Sequence, residues 1–199
     1  MMIDLRRNIT LGATNLNTGE YTMFNETLGN PGIMSAAMAS SAIPGFFQFQ
    51  KNWGEVWVDG GTIYMNDYFS AINRCLEVTG GVQEDVILDS IECMPVIIND
   101  LDKDMNSVEI LLRHQMIRAY DYTMFHFYWA LAAFPKVNFR YIIRPSGILD
   151  GLPLDFTKAD LEKWYKHGQE QAKKAIDGQI SVKDVLEEYK KARKMEFAY

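Results

Sequence analysis

Apolar runs and turn residues alternate through the first part of the chain. Residues 8–16 and 20–25 are rich in residues that favour strands, and the turn signal Asn-Thr-Gly at 17–19 separates them. This pattern predicts a β-hairpin. Residues 32–43 are rich in Ala, Ser and Met and are followed by Pro-Gly. That composition predicts a helix that packs closely against its neighbours and ends before the proline.

The next apolar run ends on an acid. Residues 55–58, Glu-Val-Trp-Val, predict a short strand, and Asp-Gly-Gly at 59–61 is a turn signal, because glycine adopts positive φ angles without steric cost. Residues 66–78 then carry apolar side chains at helical spacing. Asn66 or Asp67 is the expected N-cap of this helix.

The remainder continues the alternation of strand and helix. The pattern predicts strands over residues 85–93 and 137–145, a long helix over 107–134, and two charged amphipathic helices after Thr157. Because strand and helix alternate for most of the length, we expect an α/β protein with a mainly parallel sheet.

Charge and cysteine content narrow the function. The 199 residues carry a formal net charge of -6, which argues against a nucleic-acid partner. Cys75 and Cys93 have neither metal-ligand spacing nor the pattern of a disulfide framework, so we expect no metal and no cofactor. No secretory signal is visible near the first residue. These features favour an intracellular, reducing compartment.

Residues 119–134 form the most aromatic segment. They include Asp121 and His126, and the segment is shorter than the roughly 20 apolar residues that a spanning helix needs. We expect a buried or interfacial helix. Packing into the core is one interpretation, and a surface that meets lipid is the other, so membrane association stays open.

Asp59 is the strongest candidate for chemistry. Catalytic groups of open α/β sheets collect at the carboxyl ends of strands, and the predicted strand ends at this residue. A carboxylate held there acts as a general base if a hydroxyl comes within hydrogen-bond reach. Phe46 and Phe47, which follow the Pro-Gly turn, are expected to form one wall of an apolar substrate slot.

Three segments of the sequence together carry a family resemblance. In order and spacing, GATNLNTGEYTMFNE, IMSAAMASSAIPGFFQFQ and EVWVDGGTIYMND resemble the second half of patatin-like lipid acyl hydrolases. The tail IIRPSGILDGLPLDFTKADLEKWYKHGQEQA also looks like that family. The resemblance implies a patatin-like sheet with flanking helices whose amino-terminal part is missing. Residues 1–199 would then be the carboxyl-terminal portion of one domain, with a core at 8–150 and a helical tail at 157–199.

The resemblance also implies roles for individual residues. Asp59 matches the aspartate of the family's Ser-Asp catalytic dyad, and Gly60 and Gly61 complete the motif. In the family the serine lies in Gly-x-Ser-x-Gly, and a glycine-rich loop donates N–H groups to the oxyanion. No serine of this sequence has glycine at both the second position before it and the second position after it. An aspartate without that serine has no nucleophile to deprotonate.

An aspartate without its serine partner leaves alternative functions open. In the first, the chain is part of a phospholipase-type lipid acyl ester hydrolase, contributes the aspartate, and receives the serine from a missing or separate segment. In the second, it is a catalytically inactive, patatin-derived structural or interaction subunit of a larger assembly. A lipid-binding module that keeps the apolar slot is a third possibility. The expected partners are a lipid ester substrate or membrane surface, and either the amino-terminal half of the same protein or another protein subunit.

Overall fold

The computed structural model describes residues 7–93, 104–147 and 157–193. Backbone contacts divide the chain into two compact units, Met1–Cys75 and Leu76–Tyr199, and each is described by itself. Helix α2, Tyr68–Val78, begins in the first unit and ends in the second. Strands and flanking helices occur together, so the α/β class expected from the sequence is confirmed.

The first unit is built on a four-stranded sheet. Its strands are β1 Thr10–Asn15, β2 Tyr21–Asn25, β3 Gln50–Asn52 and β4 Glu55–Asp59, in the spatial order β2-β1-β4-β3. Every neighbouring pair is antiparallel. The expectation of a mainly parallel sheet is therefore wrong for this unit.

Short connections explain the antiparallel pairing. The predicted hairpin is confirmed, since β1 and β2 pair directly and Gly19 in their connection has a φ of 76°. Trp53 and Gly54 form the two-residue loop between β3 and β4, with φ angles of 54° and 76°. Loops this short join antiparallel strands, whereas a parallel pair needs a crossover of a dozen or more residues.

Helix α1, Gly29–Ser40, covers one face of this sheet. Ile33, Ala36 and Ala39 are buried on its inner side, and Ala39 contacts Ala13 of β1 and Trp57 of β4 in the core. The small side chains let the helix axis approach the strands closely, as the alanine-rich sequence predicts. The helix ends where the Ser41 N–H and hydroxyl both donate to the Ala37 carbonyl.

The second unit contains a parallel pair of strands. β5 Ile87–Ile91 and β6 Asn138–Ile143 are joined by the 27-residue helix α3, Ser107–Ala133. Here the predicted crossover between parallel strands is confirmed. The helices α4 Lys158–Ile176 and α5 Val182–Arg193 pack against β6, and they match the two charged helices expected after Thr157.

Candidate active site

Asp59 is the last residue of β4, in the middle of the first sheet. It lies opposite Ala13 of β1, and its backbone N–H donates to the Ala42 carbonyl at 3.0 Å. The backbone of Asp59 is thus fixed on one side by a strand and on the other by the segment that follows α1. A side chain on such a rigid backbone has a defined direction, which a catalytic carboxylate requires.

The Asp59 carboxylate is partly withdrawn from water. Its Oδ1 accepts a hydrogen bond of 2.6 Å from the Gly61 N–H and so caps Gly60–Thr62, a 3-10 helix of one turn. Burial raises the pKa of Asp59 above its usual value of 3.8, and the Gly61 hydrogen bond opposes that rise. Burial is the larger influence. The group is therefore a stronger base than an exposed aspartate, while one oxygen is held in place.

Gly60 and Gly61 are needed for space and not for a positive φ. A Cβ on Gly60 would lie 2.4 Å from the Gly12 carbonyl oxygen, and one on Gly61 would lie 2.8 Å from Asp59 Oδ1. Neither residue has a positive φ. The expectation of a left-handed Asp-Gly-Gly turn is wrong, because the chain leaves β4 as a 3-10 turn pressed against β1. Glycine here permits a close approach of two backbones.

Tyr21 forms a polar wall beside the aspartate. Its ring lies over Gly12, where a Cβ would come within 1.8 Å of the Tyr21 hydroxyl oxygen, and it meets the Tyr64 ring edge-on at 4.8 Å. Burial, followed by the charge of Asp67 and a hydrogen bond to it, raises the pKa of Tyr21 well above its usual range, and Asp59 adds to the rise. Tyr21 therefore remains a protonated hydrogen-bond donor.

These side chains line a pocket of about 400 Å³. Its walls come from the start of β1, from β2, from the last turn of α1 and from the segment after β4: Thr10, Leu11, Gly12, Tyr21, Met23, Ser40, Asp59, Gly60, Gly61, Tyr64, Met65 and Asp67. The volume falls in the range of small-molecule sites. The described residues that line it include no histidine. A carboxylate, hydroxyl donors and apolar side chains therefore meet in one concave site.

Sequence reasoning missed several lining residues. Ser40, Tyr21 and Tyr64 have no local pattern that marks them, because they come together only through the sheet and the packing of α1. Asp67 was expected only as an N-cap, and this is confirmed, since its Oδ1 accepts from the Ser70 N–H at 2.9 Å. Tyr21 of β2 pairs directly with Thr14 of β1, and Gly12 lies two positions before Thr14 on the same strand. A strand tyrosine near a strand glycine was the signal that the sequence offered for a ring packed over Gly12.

Phe46 and Phe47 lie outside this pocket. Their N–H groups both donate to the Ile43 carbonyl, which folds the segment after α1 into a tight turn. The two side chains are 45% and 52% exposed, and neither is among the pocket-lining residues. The structure thus brings Asp59, Gly60 and Gly61 together and leaves both phenylalanines on the surface.

Within residues 7–93, 104–147 and 157–193, no three His, Cys, Asp or Glu side chains are grouped so that they could hold a metal ion. Over the same ranges, no helix combines the length and apolarity that crossing a membrane would require.

Replacing Asp59 by Asn tests the burial of the carboxylate. Because the pKa of Asp59 is raised in the folded state, the folded state binds the proton more tightly than the unfolded state does. Stability therefore falls as pH rises from the usual carboxyl value through the raised one. We expect Asp59→Asn to melt at a higher temperature than wild type at pH 7, with the difference lost below the usual carboxyl pKa of 3.8. Thermal melts across pH 3–8 measure this, with the exposed Asp85→Asn as control. A lower melting temperature for Asp59→Asn at pH 7 would contradict it.

The similarity to known proteins lies in the first unit. No curated protein matches the chain. The family model described as Patatin-like phospholipase matches residues 2–72. This range contains the whole first sheet, α1 and every residue of the pocket. The resemblance of the tail, residues 142–172, lies outside this match and stays a prediction. Residues 2–72 are therefore similar to the patatin-like phospholipases.

Proposed function

We propose that this chain supplies Asp59 as the general base of a patatin-like lipid acyl ester hydrolase. The observation that carries the proposal is the position of Asp59, whose half-buried carboxylate lines a concave pocket at the end of a central strand. The match of residues 2–72 to the patatin-like phospholipase model supports the same reaction class. The substrate class is then an acyl ester of a lipid.

The nucleophile of this reaction is a serine hydroxyl brought to the pocket by a segment that carries Gly-x-Ser-x-Gly. Asp59 would accept the serine proton directly as the serine oxygen attacks the ester carbonyl. It would return that proton to the departing alcohol as the acyl-enzyme forms, and water would then release the fatty acid. Burial favours this role, because it raises the proton affinity of Asp59, and the Gly61 N–H keeps one oxygen oriented.

Hydroxyl donors in the pocket suit an ester substrate. Thr10, Ser40 and Tyr64 bring hydroxyl groups to the lining of the pocket. The Tyr21 hydroxyl stays protonated and gives its one proton to Asp67, so it forms a fixed polar wall beside Asp59. Leu11, Met23 and Met65 offer apolar walls for the first part of an acyl chain. An interior of this mixed kind fits a molecule that is polar at the reacting carbonyl and apolar beyond it.

The isolated chain tests where the nucleophile lies. Because none of its serines stands in the family motif, the purified chain is expected to leave p-nitrophenyl esters unhydrolysed above background and to resist fluorophosphonate labelling. Mass spectrometry of the probe-treated chain is the measurement. Labelling of Ser40, which lines the pocket, would show that this chain carries its own nucleophile and would contradict the division of the dyad.

Phe46 and Phe47 are proposed to contact the lipid surface from which the substrate comes. Phe46, Phe47 and the half-exposed Phe49 follow one another closely in the segment after α1, and we call these three exposed residues the aromatic group. The Lys51 ammonium lies 5.6 Å from the Phe49 ring centre. Exposed rings beside a cation are typical of protein surfaces that insert into the boundary between lipid and water. This role replaces the slot wall expected from sequence.

Replacing Phe46 and Phe47 by serine tests their contact with lipid. Burying two half-exposed phenylalanines contributes roughly 1.5–3 kcal/mol, so the double variant Phe46→Ser and Phe47→Ser should bind phosphatidylcholine vesicles at least tenfold more weakly. Val78→Ser removes another exposed apolar side chain and is the matched control. Vesicle sedimentation measures both. Equal binding by the double variant and wild type would rule out the aromatic group as the lipid contact.

The inactive-subunit alternative gives a different outcome in the same system. If the chain has only a structural role, adding it to a partner that carries Gly-x-Ser-x-Gly will not make that partner active. Asp59→Asn will then have no effect on the rate of ester hydrolysis. Complementation therefore separates the two functions.

A further inference from the structure

We propose that α3 mediates self-association of this chain by packing antiparallel against α3 of a second copy. The inference concerns the second unit alone and does not rest on the catalytic role of Asp59. Helix α3 spans 27 residues, or about 40 Å, and begins with a capping box between Asn106 and Glu109.

Helix α3 has a buried inner face and an opposite, exposed face that is mostly apolar. The inner face is buried and includes Tyr120, Met124, Phe127 and Ala130. The outer face repeats at alternating steps of three and four residues, and all of its members are exposed: Val108, Leu111, Gln115, Arg118, Tyr122, Phe125, Trp129 and Ala132. We call these eight residues the α3 seam. A stripe at this spacing is the a/d pattern by which one helix packs along another.

The aromatic part of the α3 seam is already ordered. The Phe125 and Trp129 rings lie 5.7 Å apart, and the Arg118 guanidinium lies 5.4 Å from the centre of the Tyr122 ring. Tyr122 also stacks with His126 at 6.1 Å. Trp, Tyr and Arg are the residues that contribute most at protein interfaces, and rings held in place lose little entropy on association.

Charge decides between the two possible helix directions. In a parallel pair the two Arg118 side chains would face each other in one layer, and burying like charges together is unfavourable. In an antiparallel pair each Arg118 lies in a layer with Tyr122 of the second copy, so no layer contains two like charges. The opposed helix dipoles also favour this direction.

The antiparallel register is self-complementary along the whole seam. Each layer joins one residue to a different residue of the second copy: Val108 to Ala132, Leu111 to Trp129, Gln115 to Phe125 and Arg118 to Tyr122. Large side chains meet smaller or flatter ones in every layer. An interface in which residue i meets j and j meets i is that of a two-fold symmetric dimer.

The available area is sufficient for a specific dimer. The apolar side chains of the α3 seam, apart from Ala132, are between 41% and 65% exposed. If half of each aromatic side chain becomes buried, the six rings of the pair contribute roughly 600 Å². The aliphatic and polar members bring the total to about 1,200 Å², the lower limit for stable interfaces.

A lipid surface fits the α3 seam less well. Gln115 and Arg118 lie in the middle of the stripe, where an interfacial helix would place apolar side chains, whereas a helix pair accommodates both in its central layers. The net charge of -6 also disfavours attraction to anionic membranes.

Light scattering after size-exclusion chromatography tests the association. The wild-type chain of 22.8 kDa should elute with about twice that mass at micromolar concentration. Phe125→Glu should weaken the dimer at least 30-fold, because it places a charge in a central layer. Tyr165→Glu, at an exposed position of α4, is the matched control and should remain dimeric. A monomeric wild type would overturn the proposal.

Cysteine crosslinking tests the register. In a background of Cys75→Ser and Cys93→Ser, the double variant Val108→Cys and Ala132→Cys should form a covalent dimer on oxidation, and neither single variant should. A dimer that forms from Val108→Cys alone would indicate parallel helices and overturn the antiparallel pairing. Monomeric wild type that binds phosphatidylcholine vesicles, with binding lost in Phe125→Glu, would instead assign the α3 seam to lipid.

Discussion

Asp59→Asn is expected to lower ester hydrolysis by the complemented enzyme about 10²- to 10⁴-fold, the usual contribution of a general base. Asn keeps the shape of the side chain and can still accept from the Gly61 N–H, but it cannot take a proton from the serine. The loss should appear in kcat, because proton transfer is needed in the transition state and not for binding. Initial rates with a p-nitrophenyl ester, in the presence of a segment that carries Gly-x-Ser-x-Gly, measure the effect.

Two comparisons isolate the base. Asp85→Asn makes the same chemical change at an exposed position and should leave the rate unchanged. Asp59→Asn should also be at least as stable as wild type at pH 7, so unfolding cannot account for lost activity. A complemented Asp59→Asn enzyme with wild-type kcat would exclude Asp59 as the base.

Gly60→Ala is expected to destabilise the first unit by about 3 kcal/mol, near the upper end of the range for overpacked sites. The new Cβ would lie 2.4 Å from the Gly12 carbonyl oxygen and 3.2 Å from the Tyr21 ring, so β1 and the segment after β4 must separate. The nearest obstacle, the Gly12 carbonyl oxygen, belongs to the backbone of β1 and cannot rotate away as a flexible side chain would. For a chain of this length, the melting temperature should fall by about 6–12 °C.

Gly168→Ala is the matched control for this substitution. Gly168 lies inside α4, and nothing is within 4 Å of the position that its Cβ would occupy. The added methyl group should stabilise the helix by about 0.5–1 kcal/mol, since alanine favours helices and glycine does not. Thermal melts followed by circular dichroism compare the two. If both variants melt as wild type does, the close contact between Gly60 and Gly12 is absent in solution.

The sequence predicts most elements because their patterns are local. The hairpin follows from the turn at Gly19, and the long helix was expected over residues 107–134 and observed at Ser107–Ala133. The expectation of a mainly parallel sheet was wrong for the first unit beyond the hairpin, since a period of two identifies a strand but carries no information about its partner. The short loops at Trp53 and Gly54 were the missed evidence for antiparallel strands.

The site could be predicted only where one residue marks it. Asp59 stands at the end of an apolar run, so its place at the end of a strand could be predicted, whereas Tyr21 and Ser40 reach the pocket through packing that no local pattern encodes. The reason for Gly60 was also misjudged, because its requirement comes from Gly12, 48 positions earlier in the chain. Phe46 and Phe47 were expected beside the aspartate, but a tight turn after α1 directs them to the surface.

Fluorophosphonate labelling of the complemented protein tests the central claim most directly, because the probe reacts only with an activated serine. The account predicts that the serine of the Gly-x-Ser-x-Gly segment is labelled when this chain is present, is not labelled when the chain is absent, and is not labelled when the chain carries Asp59→Asn. Labelling that proceeds equally with Asp59→Asn would contradict the assignment of Asp59 as the base that activates the serine.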